Sequence, residues 1–111
     1  MSIVSEKNVS DALSYLSIDP HPIALARKDV TDAENDMDEL FAKLYRQQHE
    51  GSIKDRECAV HERDVYQRAR DKVTEGMFEL ERHKARVKAA GMLIEGWRSE
   101  NANIRAAERV R

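Results

Sequence analysis

The sequence has few of the residues that form turns, cross-links or a large globular core. Among its 111 residues it has one cysteine, two prolines and four glycines, and aromatic residues make up 5%. A single cysteine cannot form a disulfide within the chain, which excludes a disulfide-stapled fold and is typical of a reducing compartment. So few turn-forming residues exclude an all-β domain, whose short strands need frequent turns.

Neither an excess of one charge nor a long apolar run is present. The net charge is −2, so the chain as a whole does not attract nucleic acid or a membrane surface. No segment approaches the ~20 apolar residues that a membrane span needs. The first residues also lack the basic start and apolar stretch of a secretory signal. Together with the single cysteine, these features predict a cytoplasmic protein without membrane contact.

The sequence also lacks the usual motifs of catalysis. It has no glycine-rich phosphate loop, no Gly-x-Ser-x-Gly and no Ser-His-Asp arrangement. Cys58 and His61 lie three residues apart, but no second Cys/His pair completes a zinc site. Asp32, Asp36 and Glu39 share a helix face, but the paired Glu-Glu-x-x-Glu pattern of helical magnesium sites is missing. We therefore predict that the protein is not an enzyme and holds no metal or cofactor.

What the sequence does contain is a seven-residue apolar repeat that reflects about Gly51. One row consists of Val9, Leu16, Ile23, Val30, Met37 and Leu44, then Ala59, Tyr66, Val73, Leu80, Val87, Ile94 and the polar Asn101. A second, less apolar row consists of Ala26, Ala33, Leu40 and Gln47, then Glu62, Ala69, Gly76, His83, Ala90, Trp97 and Ile104. The residue numbers of two positions that face each other sum to about 103, as for Leu44 with Ala59. We call these two rows the seam, and their mirror order is typical of a long antiparallel helical hairpin.

Capping residues and prolines set the predicted limits of the first two helices. A short helix over 5–17 begins after the N-cap Ser5, and two prolines follow it. The second helix covers 22–50, and Gly51 is the residue expected just past its C-terminus.

The third helix is predicted over 52–103, with a bend near Gly91 or Gly96 as the alternative. Ser52 is its N-cap, with Asp55 at the capping-box position. Gly76 is expected to pack closely against the second helix, and 104–111 is expected to be a frayed tail. The predicted fold is one all-α, coiled-coil-like domain in which the short N-terminal helix packs on residues 85–97.

Other apolar residues lie outside the seam and widen the stripe beyond what one partner helix can cover. We therefore predict homo-oligomerisation into a helical bundle, with a different protein partner as the alternative. The residues expected to make this contact beside the seam are Phe78, Met92, Leu93 and Trp97. The predicted function is that of a non-enzymatic assembly or adaptor protein. Asn101, a polar residue in the first row, indicates that the C-terminal third meets another helix, from a second chain or from 5–17.

Two alternative functions follow from charge. Residues 82–111 carry a balance of +5, from 8 Lys/Arg and 3 Asp/Glu, although the chain is acidic overall. Arg98, Arg105 and Arg109 share a helix face there and predict a nucleic-acid-associated accessory factor, with Trp97 stacking on a base. The acids Glu95, Glu100 and Glu108 interrupt that stripe and favour a solvated face instead.

The other charged segment is 29–39, which carries six acids and no base. The mirror order predicts that it pairs with Arg68, Arg70 and Lys72. If this face is instead exposed and unpaired, it could imitate nucleic acid and make the protein a small inhibitor.

Overall fold

Four helices make up the described part of the chain. The computed structural model describes residues 5–110 and contains no strand in that range. The helices are α1 (Glu6–Leu16), α2 (Pro22–Arg46), α3 (Ile53–His61) and α4 (Asp64–Val110). The predicted all-α class is confirmed. Contacts divide the described residues into two compact units: the terminal unit, 5–22 with 82–110, and the hairpin unit, 23–81.

In the hairpin unit, α2 runs antiparallel to the first part of α4. Leu44, near the end of α2, packs with Val60 of α3 and Tyr66 at the start of α4. Further along α4, Gly76 lies against Val30, and a Cβ added to this glycine would be 3.3 Å from a Val30 methyl carbon. Residues with higher numbers on α2 therefore face residues with lower numbers on α4. The predicted antiparallel order is confirmed.

The seam supplies most of the core. Its buried members are Val9, Ala26, Val30, Ala33, Leu44, Tyr66, Val73, Ala90 and Ile94. Three further buried apolar side chains, Ala12, Tyr15 and Val60, lie outside the two rows. A seven-residue spacing keeps a row of side chains on one face of a helix, which is why so much of the core follows from the sequence.

In the terminal unit, α1 packs on the second part of α4. The core cluster joins Val9, Ala12 and Tyr15 of α1 with Ala90 and Ile94 of α4. The guanidinium of Arg86 also lies 4.0 Å from the centre of the Tyr15 ring, a distance at which a cation is attracted to an aromatic face. The predicted packing of the N-terminal helix on residues 85–97 is confirmed.

The structure corrects the predicted single helix over 52–103. Helix α3 ends at His61 and α4 begins at Asp64, so Glu62 and Arg63 interrupt the predicted helix. The Glu62 N–H donates to the carbonyls of Cys58 and Val60, and α4 starts anew after Arg63. The interruption changes which side of α3 faces α2. As a result Val60 is fully buried and the predicted Ala59 is only half-buried.

The second helix is shorter than the predicted 22–50 and ends at Arg46. The N–H groups of Gln47 and Gln48 donate to carbonyls three residues back, at 3.1 and 3.0 Å, which tightens the last turn. Gly51 therefore does not follow α2 directly. Its φ of +94° instead leads the chain into Ser52, the N-cap of α3. The predicted capping box of Ser52 with Asp55 is confirmed.

The C-terminal segment is helical to Val110, where a frayed tail was predicted from Ile104. The stretch contains no glycine or proline after Gly96, and alanines with high helix propensity occupy several positions. Gly91 lies inside α4 without interrupting it. Arg111, the last residue of the predicted tail, lies outside the described residues.

Replacing Gly51 by alanine is expected to lower the free energy of unfolding by about 1–2 kcal/mol, because an L-residue is strained in this left-handed conformation. The added Cβ would also lie 2.9 Å from the Asp55 Cβ. Gly91→Ala is the matched control, since nothing lies within 4 Å of its added Cβ. That change should stabilise α4 by about 1 kcal/mol. Thermal unfolding followed by circular dichroism measures the melting temperature of both variants. If both variants shifted the melting temperature in the same direction, the different backbone requirements assigned to Gly51 and Gly91 would be contradicted.

Candidate interaction surfaces

The four residues predicted to mediate protein contacts fall in both units. Phe78 belongs to the hairpin unit, whereas Met92, Leu93 and Trp97 belong to the terminal unit. They also differ in burial, because Phe78 and Met92 are exposed whereas Leu93 and Trp97 are half-buried. The four therefore do not have equivalent roles.

Leu93 and Trp97 lie at the edge of the terminal unit's core. Both pack against the cluster that contains Val9 and Ile94. Trp97 also forms part of an open groove, with Val9 and Leu13 of α1 among the other lining residues. Leu13 itself is 49% exposed. These side chains stabilise the α1–α4 contact and leave an apolar rim beside it.

Met92 lies on the face of α4 that points away from α1. Ala90 and Ile94, on either side of it in sequence, are buried in the α1–α4 core. Because successive helical residues are rotated by about 100°, the residue midway between these two lies on the opposite side of the helix. Met92 is accordingly 66% exposed. The structure thus corrects the prediction that Met92 flanks the seam.

Phe78 has the same kind of position in the hairpin unit. Val73 is buried and Gly76 lies against α2, whereas Phe78 is 63% exposed. It lines a shallow hollow on the outer side of α4 together with Thr74, Glu75 and Glu79. Phe78 is therefore also displaced from the predicted position beside the seam to the outward face.

The three arginines of the predicted nucleic-acid stripe are exposed, and one of them, Arg98, is paired with a carboxylate. Arg98 donates to a Glu95 carboxylate oxygen at 3.0 Å. Arg98 and Arg105 line a hollow with Trp97, and Glu108 lines the same hollow. Arg109 is exposed and is not among the residues of that hollow. Carboxylates beside two of the three arginines weaken the positive field that a phosphate would meet.

The acidic segment 29–39 does not make the predicted pairs. In the described part of the chain, no ion pair joins it to Arg68, Arg70 or Lys72. Asp32 instead accepts a hydrogen bond from Lys28 of its own helix at 2.7 Å. This hydrogen bond, with the attraction of the Asp32 charge, raises the pKa of Lys28. All the acids of the segment except the half-buried Glu34 are exposed.

The described residues form neither a metal cluster nor a membrane-spanning helix. Within residues 5–110, no three His, Cys, Asp or Glu side chains are placed to hold a metal ion together. Cys58 is an exposed free thiol. Among the helices described, none carries an apolar stretch of the length that crosses a bilayer.

Comparison with known proteins identifies no relative. No protein-family model, curated protein or solved structure matches the chain. Function is therefore inferred from the exposed surfaces and their chemistry.

Proposed function

We propose that this protein is a non-enzymatic helical assembly or adaptor protein of the cytoplasm that acts through protein–protein contacts as a homo-oligomer. The observation that carries the proposal is the exposure of large apolar side chains on outward faces of α4, with Phe78 63% and Met92 66% exposed. Burying one such side chain contributes about 1.5–3 kcal/mol. A second helical layer packed against these faces would bury the side chains, and each burial would stabilise the assembly by that amount.

The proposal is tested by replacing the two outward apolar residues with glutamate, as Phe78→Glu, Met92→Glu and the double variant. A charge in the contact must be desolvated, so we expect association to weaken at least about tenfold while helicity is kept. Phe78→Leu and Met92→Leu are the matched controls and should associate like the wild type. The measurements are mass by light scattering and helicity by circular dichroism.

A further comparison separates loss of contact from loss of folding. Leu93→Glu places a charge at the edge of the α1–α4 core and should lower helicity, whereas Met92→Glu should not. An unchanged oligomer mass in the double variant Phe78→Glu/Met92→Glu would overturn the proposed role of these faces.

A second candidate function, a small inhibitor that imitates nucleic acid, is favoured by the acidic segment of α2. Its carboxylates are largely exposed and are not paired with Arg68 or Arg70. A helix face with several exposed carboxylates can occupy a basic groove that otherwise binds phosphates. The basic stripe gives weaker support for direct nucleic-acid binding, because Glu95 pairs with Arg98.

This second candidate is tested with DNA-binding proteins retained on DNA–cellulose. At low salt the wild-type chain should release a retained protein, and the variant Asp32→Asn/Asp36→Asn/Glu39→Gln should not. Equal release by the two chains, or none by either, would remove this candidate.

A further inference from the structure

A hollow with a floor of alanines lies on one side of the α1–α4 contact. Its lining includes Asp11, Ala12 and Tyr15 of α1 with Arg86, Ala89 and Ala90 of α4. Such small side chains leave space between two helices that larger residues would fill. The hollow has a volume of about 260 Å³, which is less than the ~300–1,000 Å³ of typical small-molecule pockets. We call it the alanine hollow, and its size suits one large side chain of a partner better than a free ligand.

The rim of the alanine hollow carries a cation that is held in place. The Arg86 guanidinium lies 4.0 Å from the centre of the Tyr15 ring, which attracts it. Within the described residues, no carboxylate pairs with Arg86. Asp11, on the α1 side of the hollow, is exposed and likewise makes no ion pair in that range. The hollow therefore combines an apolar floor with a positive charge on the α4 side and a negative charge on the α1 side.

Phe78 is the exposed side chain that best complements this hollow. Among the exposed large apolar residues of the described chain it is the only aromatic one, and buried aromatic side chains contribute most of the energy of many interfaces. Glu75, about one helical turn before it, is exposed and lines the same outer hollow of α4. Phe78 therefore presents a large apolar side chain with a negative charge beside it, whereas the alanine hollow has an apolar floor with a positive charge beside it.

We propose that the alanine hollow of one copy of this chain receives Phe78 of a second copy, with Glu75 of that second copy facing Arg86. Charge sets the orientation, since the reverse placement would bring Glu75 next to Asp11, and like charges at an interface are unfavourable. The two copies use different surfaces, so the contact is heterologous. This inference rests on the proposed self-association and names the surface into which Phe78 packs.

Filling the hollow tests the contact. Ala89→Trp places a large side chain in the hollow, so we expect self-association to weaken by at least about tenfold. Ala89 is itself exposed, so the change should leave the helices intact. Ala102→Trp is the matched control, because Ala102 is exposed on the same helix and does not line the hollow. The control should associate like the wild type. The measurements are mass by light scattering and helicity by circular dichroism.

Mixing two variants tests both surfaces of the contact together. Phe78→Glu keeps the hollow but lacks the aromatic side chain, whereas Ala89→Trp keeps Phe78 but has a filled hollow. Neither variant can form the contact with itself, but an equimolar mixture contains both intact surfaces. We therefore expect the mixture to associate at least about tenfold more tightly than either variant alone. A mixture that associates no better than the separate variants would overturn the proposal.

A charge exchange tests the orientation. Glu75→Arg and Arg86→Glu should each weaken association by about threefold or more, because each places two like charges together. The double variant should restore association, since the pair re-forms with reversed signs. A purely structural role of either residue would not produce this rescue. A double variant that associates as weakly as the single variants would overturn the placement of Glu75 beside Arg86.

The mass of the wild-type chain separates this inference from the proposed function. An oligomer that keeps its mass in Ala89→Trp would overturn docking in the alanine hollow and leave the proposed assembly function intact. A monomer at every concentration would overturn both. Association that is lost in Ala89→Trp, kept in Ala102→Trp and regained in the mixture with Phe78→Glu would support the alanine hollow as the docking surface for Phe78.

Discussion

Replacing Leu44 by alanine is expected to lower the free energy of unfolding by about 2–5 kcal/mol, because it removes buried methyl groups and leaves a cavity. Leu44 is 3% exposed and is packed with Val60 and Tyr66, where α2, α3 and α4 meet. The total free energy of unfolding of a small domain is about 5–15 kcal/mol, so this one change should remove a large part of the stability.

Leu25→Ala is the matched control for that prediction. It makes the same chemical change in the same helix, but Leu25 is 47% exposed. Its expected cost is well under half that of Leu44→Ala, since less apolar surface leaves the core. Denaturant unfolding followed by circular dichroism measures both variants. Equal losses would mean that the α2–α3–α4 cluster is not the core of the hairpin unit.

Ile94→Ala is expected to weaken the terminal unit by a comparable amount, about 2–5 kcal/mol. Ile94 is 8% exposed and belongs to the cluster that joins α1 to α4. Val110→Ala is the control on the same helix, because Val110 is 89% exposed and its replacement should cost about 0.5 kcal/mol or less. Hydrogen exchange should show lost protection in α1 for Ile94→Ala. Unchanged protection there would contradict the assigned packing of α1.

Much of the fold could be predicted from the sequence because it depends on spacing that helix geometry fixes. The seven-residue rows identified buried residues from Val9 to Ile94, and Ser52 with Asp55 marked the start of α3 through a local hydrogen-bond pattern. The interruption at Glu62 was not predictable in this way, because no glycine or proline marks it. It allows Val60 to be buried against residues distant in sequence, and spacing within one helix contains no information on that contact.

The candidate surfaces were predicted less well, and for physical reasons. Phe78 and Met92 were correctly singled out as apolar residues that the seam does not contain, but the prediction that they lie beside the seam was wrong. Each lies midway between two seam residues, so helix rotation places it on the opposite face, and the exposed fractions agree with that position. The acidic segment was expected to pair across the hairpin. Exposed ion pairs contribute only about 0–1 kcal/mol, so opposite charges on facing helices are not enough to fix side chains together.

The most direct test of the proposed self-assembly is the absolute mass of the wild-type chain, measured by light scattering after size exclusion over a tenfold concentration range. We predict a mass of at least twice the 12.8 kDa of one chain across the upper part of that range. A constant mass of one chain at all concentrations would contradict homo-oligomerisation. The exposed faces around Phe78 and Met92 would then have to be covered by a different protein.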